Sequence, residues 1–146
     1  MLRSIKTLLC ALAVMLSATA AFAAGKTHYV VLHVDQNNKK VMNIALNNAQ
    51  NIKKFYNSQG DKVVIEMVAY GPGLHMLRKD TSPVAARIAV MAMNPNIKFS
   101  ACGNTRRKMA AKAGHKIELL SEARMVPSGV VQLIKLQEQG YAYVRP

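Results

Sequence analysis

The chain has no tryptophan, two cysteines, and only 7 acidic residues against 20 lysines and arginines. Each shortage excludes something. Three phenylalanines and five tyrosines leave few rings for stacking, and none is interleaved with the dense basic segment Arg106-Arg107-Lys108. Single-stranded nucleic acid is held on such stacking platforms, so nucleic acid is not an expected partner. No CxxC or HExxH pattern occurs, and His28, His33, His75 and His115 are scattered, so no metal site is expected. No GxGxxG motif is present, and the Asp35–Lys40 turn has no glycine to cradle a phosphate, so neither a flavin nor a dinucleotide cofactor is expected. Ser-His-Asp chemistry has no local signature. Repeats, low-complexity tracts and proline-rich linkers are also missing.

What is present begins at the N-terminus. Arg3 and Lys6 precede an apolar run from Leu8 to Leu16, and Ala21-Phe22-Ala23 forms an A-x-A site. This is the pattern of a secretory signal peptide over residues 1–23. The run is shorter than the about 20 apolar residues a spanning helix needs. The expectation is therefore a periplasmic or secreted protein with no stable membrane anchor after cleavage, and a single domain over residues 24–146. Cleavage would remove Arg3, Lys6 and Cys10, leaving 18 basic and 7 acidic residues and a charge of +11. Such a charge favours anionic partners, phospholipid or small acidic ligands among them, or is simply a basic solvated surface. Cys102 would remain as a lone thiol: buried and inert, paired between chains, or chemically used.

Apolar runs alternate with helical periodicity, which predicts an α/β fold with a mainly parallel sheet of about five strands and helices on both faces. Strands are expected at His28–Val34, Val63–Tyr70, Ile97–Ala101, near Met125-Val126, and at Tyr141–Val144. Helices are expected over Lys40–Tyr56, from Ser82 as cap with Pro83 at the first position, over Thr105–Ala113, and from Ser128 as cap to Gly140. A short helical turn is expected over Leu74–Leu77, and another short helix around Ser121. The methionines fall on apolar faces and read as core filler.

Ligands of open parallel sheets gather at the carboxyl ends of the strands. Two features fall there. Gly71-Pro72-Gly73 follows the second strand, either letting backbone approach a ligand or forming an ordinary turn. His75 follows it, as a base or donor or as a solvated loop residue. Cys102 ends the third strand, ahead of a helix N-terminus whose free N–H groups favour negative charge. Arg106, Arg107 and Lys108 lie in that helix's first turns. These features favour a thiolate, the reactive form of cysteine, whereas a small buried residue closing a strand is the inert alternative.

Six segments together resemble the DsrE/DsrF-like family, in particular its small exported members. They are Val31-Leu32-His33-Val34-Asp35, Ala45-Leu46-Asn47-Asn48-Ala49-Gln50-Asn51, Val68-Ala69-Tyr70-Gly71-Pro72-Gly73-Leu74, Phe99-Ser100-Ala101-Cys102-Gly103-Asn104-Thr105, Val126-Pro127-Ser128-Gly129-Val130 and Gln137-Glu138-Gln139-Gly140-Tyr141-Ala142-Tyr143. The resemblance implies a three-layer α/β/α fold with a parallel sheet and a homo-oligomer. It also implies that Cys102 is the counterpart of a cysteine that carries sulfur as a persulfide. On this basis Cys102 is the candidate catalytic residue, with Gly71, Gly73, His75, Gly103, Asn104, Thr105 and Arg106 as candidate ligand-binding residues. The expected partner is a sulfur donor or acceptor protein. The alternative is a non-catalytic oligomeric binding module for an anionic ligand or partner protein.

Overall fold

A computed structural model describes residues 25–146. The signal peptide expected over residues 1–23, and Cys10 within it, lie outside the described residues. Five strands, β1 (Thr27–Val34), β2 (Lys62–Ala69), β3 (Ile97–Cys102), β4 (Ala123–Val126) and β5 (Ala142–Val144), form one sheet in the order β4-β3-β2-β1-β5. Every pairing is parallel. The helices are α1 (Lys39–Ser58), α2 (Ala85–Ala92), α3 (Gly103–Ala113) and α4 (Gly129–Glu138), with a 3-10 helix over Gly71–Leu77. The expected fold class is the one observed.

The strand order decides which face each helix covers. From β1 to β4 the chain steps steadily toward one edge, and right-handed crossovers keep α1, α2 and α3 on one face. The chain must then return from β4 at one edge to β5 at the other. α4 makes that return across the opposite face, packing on β1, β2 and β3. Alternation along each strand supplies a core to both layers. Val30, Leu32, Val34, Ile65, Met67 and Phe99 point into the larger core with Met42, Leu46 and Ile88 of α1 and α2. Val31 and Val68 point the other way, against Leu133 and Leu136 of α4.

Local chemistry sets the ends of the elements. The Asn38 side chain caps α1, accepting from the N–H groups of Lys40 at 2.8 Å and Val41 at 3.4 Å. Arg87 of α2 donates to Asn43, Asn47 and Gln50 of α1 and ties the two helices together. Two expected elements differ. Ser82 does not cap α2, which begins at Ala85. Its hydroxyl donates to the Met76 carbonyl at 2.5 Å, so Ser82-Pro83 is held in the preceding turn by the 3-10 segment. Around Ser121 there is a turn instead of a helix. The backbone there is drawn out by pairing with the 77–79 segment, through Lys79 N–H to Glu118 O at 2.9 Å and Leu120 N–H to Leu77 O at 2.9 Å.

The thin core under α4 is supplemented by a polar lock. Glu66 of β2 is 2 % exposed. Arg124 of β4 grips both its oxygens at 2.8 Å, Gln132 of α4 donates at 2.8 Å, and the Ser100 hydroxyl donates at 2.7 Å. A buried carboxylate is tolerated only when paired and hydrogen-bonded in this way. Removing Arg124 alone strands the charge. Arg124→Met is expected to lower stability by about 2–3 kcal/mol, discounted because the guanidinium is half exposed. Pairing it with Glu66→Gln should restore much of the loss. Urea denaturation checks both; an unchanged midpoint in the single variant would show that Glu66 is neutralised elsewhere.

Candidate functional site

Where β3 and β4 end, their outgoing chains part to opposite faces, β3 to α3 and β4 to α4. A crevice between diverging connections is the usual ligand position in such sheets. Cys102 stands at this divergence. It is the last residue of β3 and the N-cap of α3, and it is 4 % exposed. Its sulfur accepts from the Thr105 N–H at 3.5 Å. The Thr105 hydroxyl and the backbone N–H groups of Gly129 and Asn104 also act on it electrostatically, although the Asn104 N–H donates its hydrogen bond to the Pro127 carbonyl at 3.1 Å. Gly129 opens α4, so the N-termini of two helices both act to lower the pKa of one sulfur.

The electrostatic balance follows. Burial alone raises the pKa of Cys102, but the Thr105 hydroxyl and the N–H groups of Thr105, Gly129 and Asn104 outweigh it, and the net shift is downward. Cys102 is the one cysteine among the described residues.

The close approach of α4 depends on Gly129. A Cβ there would sit 2.8 Å from the Tyr70 side chain. Tyr70 follows the Ala69–Ala101 pair in register and so lies beside Cys102 across the sheet. Its ring stacks on His33, with centroids 4.6 Å apart. His33 is buried; its Nδ1 meets the Tyr143 hydroxyl at 2.7 Å, while its Nε2 has no partner among the described residues. Beyond it, Arg145 pairs with Asp35 at 2.7 Å. Burial first, then Asp35, Tyr143 and Cys102, raise the pKa of Tyr70.

The expected site residues are distributed unevenly. Gly103, Asn104 and Thr105 form the first turn of α3 around Cys102. The Thr105 hydroxyl also accepts from the Gly71 N–H at 2.9 Å, which joins the glycine turn to the thiol site. Gly73 is buried against β1, where a Cβ would lie 2.2 Å from the Val34 carbonyl oxygen, so the space it leaves is filled by backbone. The His75 ring is bonded to the Thr81 hydroxyl at 2.8 Å and lies in a groove of about 490 Å³ with Asn37, Gly71, Thr105, Lys108 and Lys112, which Cys102 does not line. Arg106 points away, its Nε donating to the Ile117 carbonyl at 2.7 Å. Tyr70, Gly129 and the His33–Tyr143 pair were not among the sequence candidates. Their positions follow from the strand order, and the Ser128-Gly129 pair opening a helix was the one local sign.

Residues 15–146 match the model of the DsrE/DsrF-like family. The fold is similar to the solved structure of a protein of unknown function from Methanobacterium thermoautotrophicum, with a TM-score of 0.69 and 30% identity, covering 82% of this chain and 99% of that one. No curated protein matches.

The pKa of His33 is lowered, by burial first and by Arg145, against an opposing effect of Asp35. The unfolded chain therefore binds a proton near 6.5 and the folded chain only at lower pH. Stability is full above that value and falls as pH drops through it toward the folded pKa. His75, lowered by burial and Arg78, adds the same trend; Asp61 and Asp80, whose pKa values are lowered, lose their contributions only below about pH 4. The melting temperature of His33→Phe is expected to fall less steeply than wild type between about pH 7 and pH 5. Equal slopes would show that His33 protonates freely in the folded state.

Proposed function

The chain belongs to the DsrE/DsrF-like family, and from that premise we propose that it handles sulfur through Cys102, as a persulfide carrier acting in the cell envelope after loss of residues 1–23. Family membership by itself suggests a role related to sulfur relay. The observation that supports the carrier step here is a buried sulfur that caps α3, accepting from the Thr105 N–H at 3.5 Å, with its pKa lowered by Thr105, Gly129 and Asn104.

The chemistry this arrangement favours is exchange without net redox change. The Cys102 thiolate attacks the outer sulfur of a donor persulfide. The donor's S–S bond breaks, the donor leaves as a thiolate, and Cys102 becomes the persulfide. An acceptor thiolate then attacks the outer sulfur in turn. Nucleophile and leaving group are both the Cys102 thiolate, so donors that stabilise this anion serve loading and release alike. Shielding of the sulfur limits the access of stray oxidants, which would otherwise drive such a thiolate up the oxidation ladder. No resolving cysteine lies among the described residues, which favours carriage over disulfide exchange.

One observation favours a second reading, a binding module for an anionic ligand. Lys108 and Lys112 flank the groove that holds Gly71, His75 and Thr105. Binding in that groove would weaken with salt and would be indifferent to the thiol.

The two readings separate in one experiment. The protein is incubated with a small-molecule persulfide, cleared of excess donor, and its intact mass is read before and after reduction. The carrier reading expects a reducible gain of one or more sulfur atoms mapped to Cys102, absent from a folded Cys102→Ser variant. Equal sulfur gain in that variant, or none in wild type, would sink it and leave the binding module.

A further inference from the structure

The edge strand β4 and the groove beside it adjoin the thiol site. β4 ends the sheet and is bonded to β3 alone. Among the described residues no other backbone group pairs with Arg124 or Met125. An open strand edge is a template for another strand. Met125, 59 % exposed, walls a groove of about 360 Å³ between β4 and α3. Ala110 and Ile117 give it an apolar floor, Arg106, Arg107 and Lys116 surround it, and Gly103 closes its inner end beside Cys102.

Glu118 is the nearby carboxylate: it pairs with Lys116 and has its pKa lowered by Arg106 as well, from beyond ion-pair distance. Arg106 is steadied by the Ile117 carbonyl at 2.7 Å and by the Met125 sulfur at 3.6 Å. Arg107 reaches the Asn104 side chain. Among the described residues neither arginine has a carboxylate within ion-pair distance. Lys116 pairs with Glu118 at 3.0 Å, but both side chains are well exposed, and such pairs contribute little in water. The edge is thus apolar at its centre, cationic around it, and free for main-chain pairing.

We propose that this edge docks an extended acidic segment of a partner protein. The segment adds beside β4, rests an apolar side chain on Met125, and sets carboxylates over Arg106 and Arg107. Strand addition takes affinity from main-chain hydrogen bonds and specificity from alternate side chains. Charge selects the partner: a second copy, at +11 after loss of residues 1–23, brings like charges together, whereas an acidic segment is steered in. The proposal rests on the carrier reading only for why a partner should come so close to Cys102.

The test uses a short synthetic peptide alternating glutamate with valine, free of cysteine, and reads its binding by fluorescence anisotropy. Because the peptide carries no thiol, binding without sulfur loading, or loading without binding, tells the two readings apart. Expected results are a loss of about tenfold in affinity for each of Arg106→Gln and Arg107→Gln, weaker binding in high salt, and slowed amide exchange along β4 when peptide is bound. Arg107→Gln keeps the test valid should loss of the Arg106–Ile117 bond unsettle the fold. No binding by the peptide, affinity unchanged in both variants, or protection at the Lys108–Lys112 groove would overturn the proposal. So would phosphatidylglycerol vesicles that displace the peptide, which would assign the patch to a lipid surface.

Discussion

The start of α3 at Cys102 and the start of α4 at Gly129 both bear on one sulfur, and much of the molecule is arranged to let them. Free N–H groups at a helix start carry partial positive charge and need acceptors. One helix supplies such donors in many folds. Here α3 and α4 supply them from opposite faces of the sheet, because β3 and β4 feed different layers. The return from β4 to β5 forces α4 across the face that α1, α2 and α3 leave open. Cys102 therefore occupies the point where the topology itself opens the sheet.

That arrangement sets demands elsewhere. α4 must come close to the strand ends, and Gly129 lets it seat on Tyr70. It must stay there although the core beneath it is small, with Leu133 and Leu136 resting on Val31 and Val68. The Glu66–Arg124–Gln132 lock and Ser100 supply the rest, joining β2, β3, β4 and α4 through one buried carboxylate. Tyr70 does double duty, flanking the thiol on one side and stacking on His33 on the other. His33 in turn meets Tyr143 of β5, so the final strand is tied back to the same region. The thiol's surroundings are thus built from β2, β3, α3 and α4, with β1 and β5 supporting them.

Much of the fold was legible in the chain. Apolar runs gave the parallel strands, and helical periodicity over Lys40–Tyr56 marked α1. Cys102 before Gly103-Asn104 was readable as a strand end meeting a helix start. The misplaced elements, Ser82 as a cap and a helix at Ser121, were overruled by tertiary bonding to Met76 and to the 77–79 segment. Less of the site could be read. Strand order does not follow from local pattern, and without it Tyr70, Gly129 and His33 have no reason to be near Cys102. His75 and Arg106 are close in sequence to the thiol loops, yet one is bonded to Thr81 and the other to Ile117. The permissiveness of the glycine turn is visible in the sequence, but its use is not: Gly71 reaches the site through Thr105, while Gly73 makes room for β1.

The central claim is that folding converts Cys102 into a better-stabilised thiolate than the unfolded chain contains. Its most direct measurement is the pH dependence of Cys102 alkylation by iodoacetamide, followed on the Cys102 peptide by mass spectrometry, in the folded and urea-unfolded chain. Burial alters the absolute rate, so the midpoint of the profile is the quantity to compare. A folded midpoint below the unfolded one is the predicted result. A folded midpoint at or above it would mean that burial prevails over the opposing donors, and that Cys102 is a packed residue without the chemistry assigned to it.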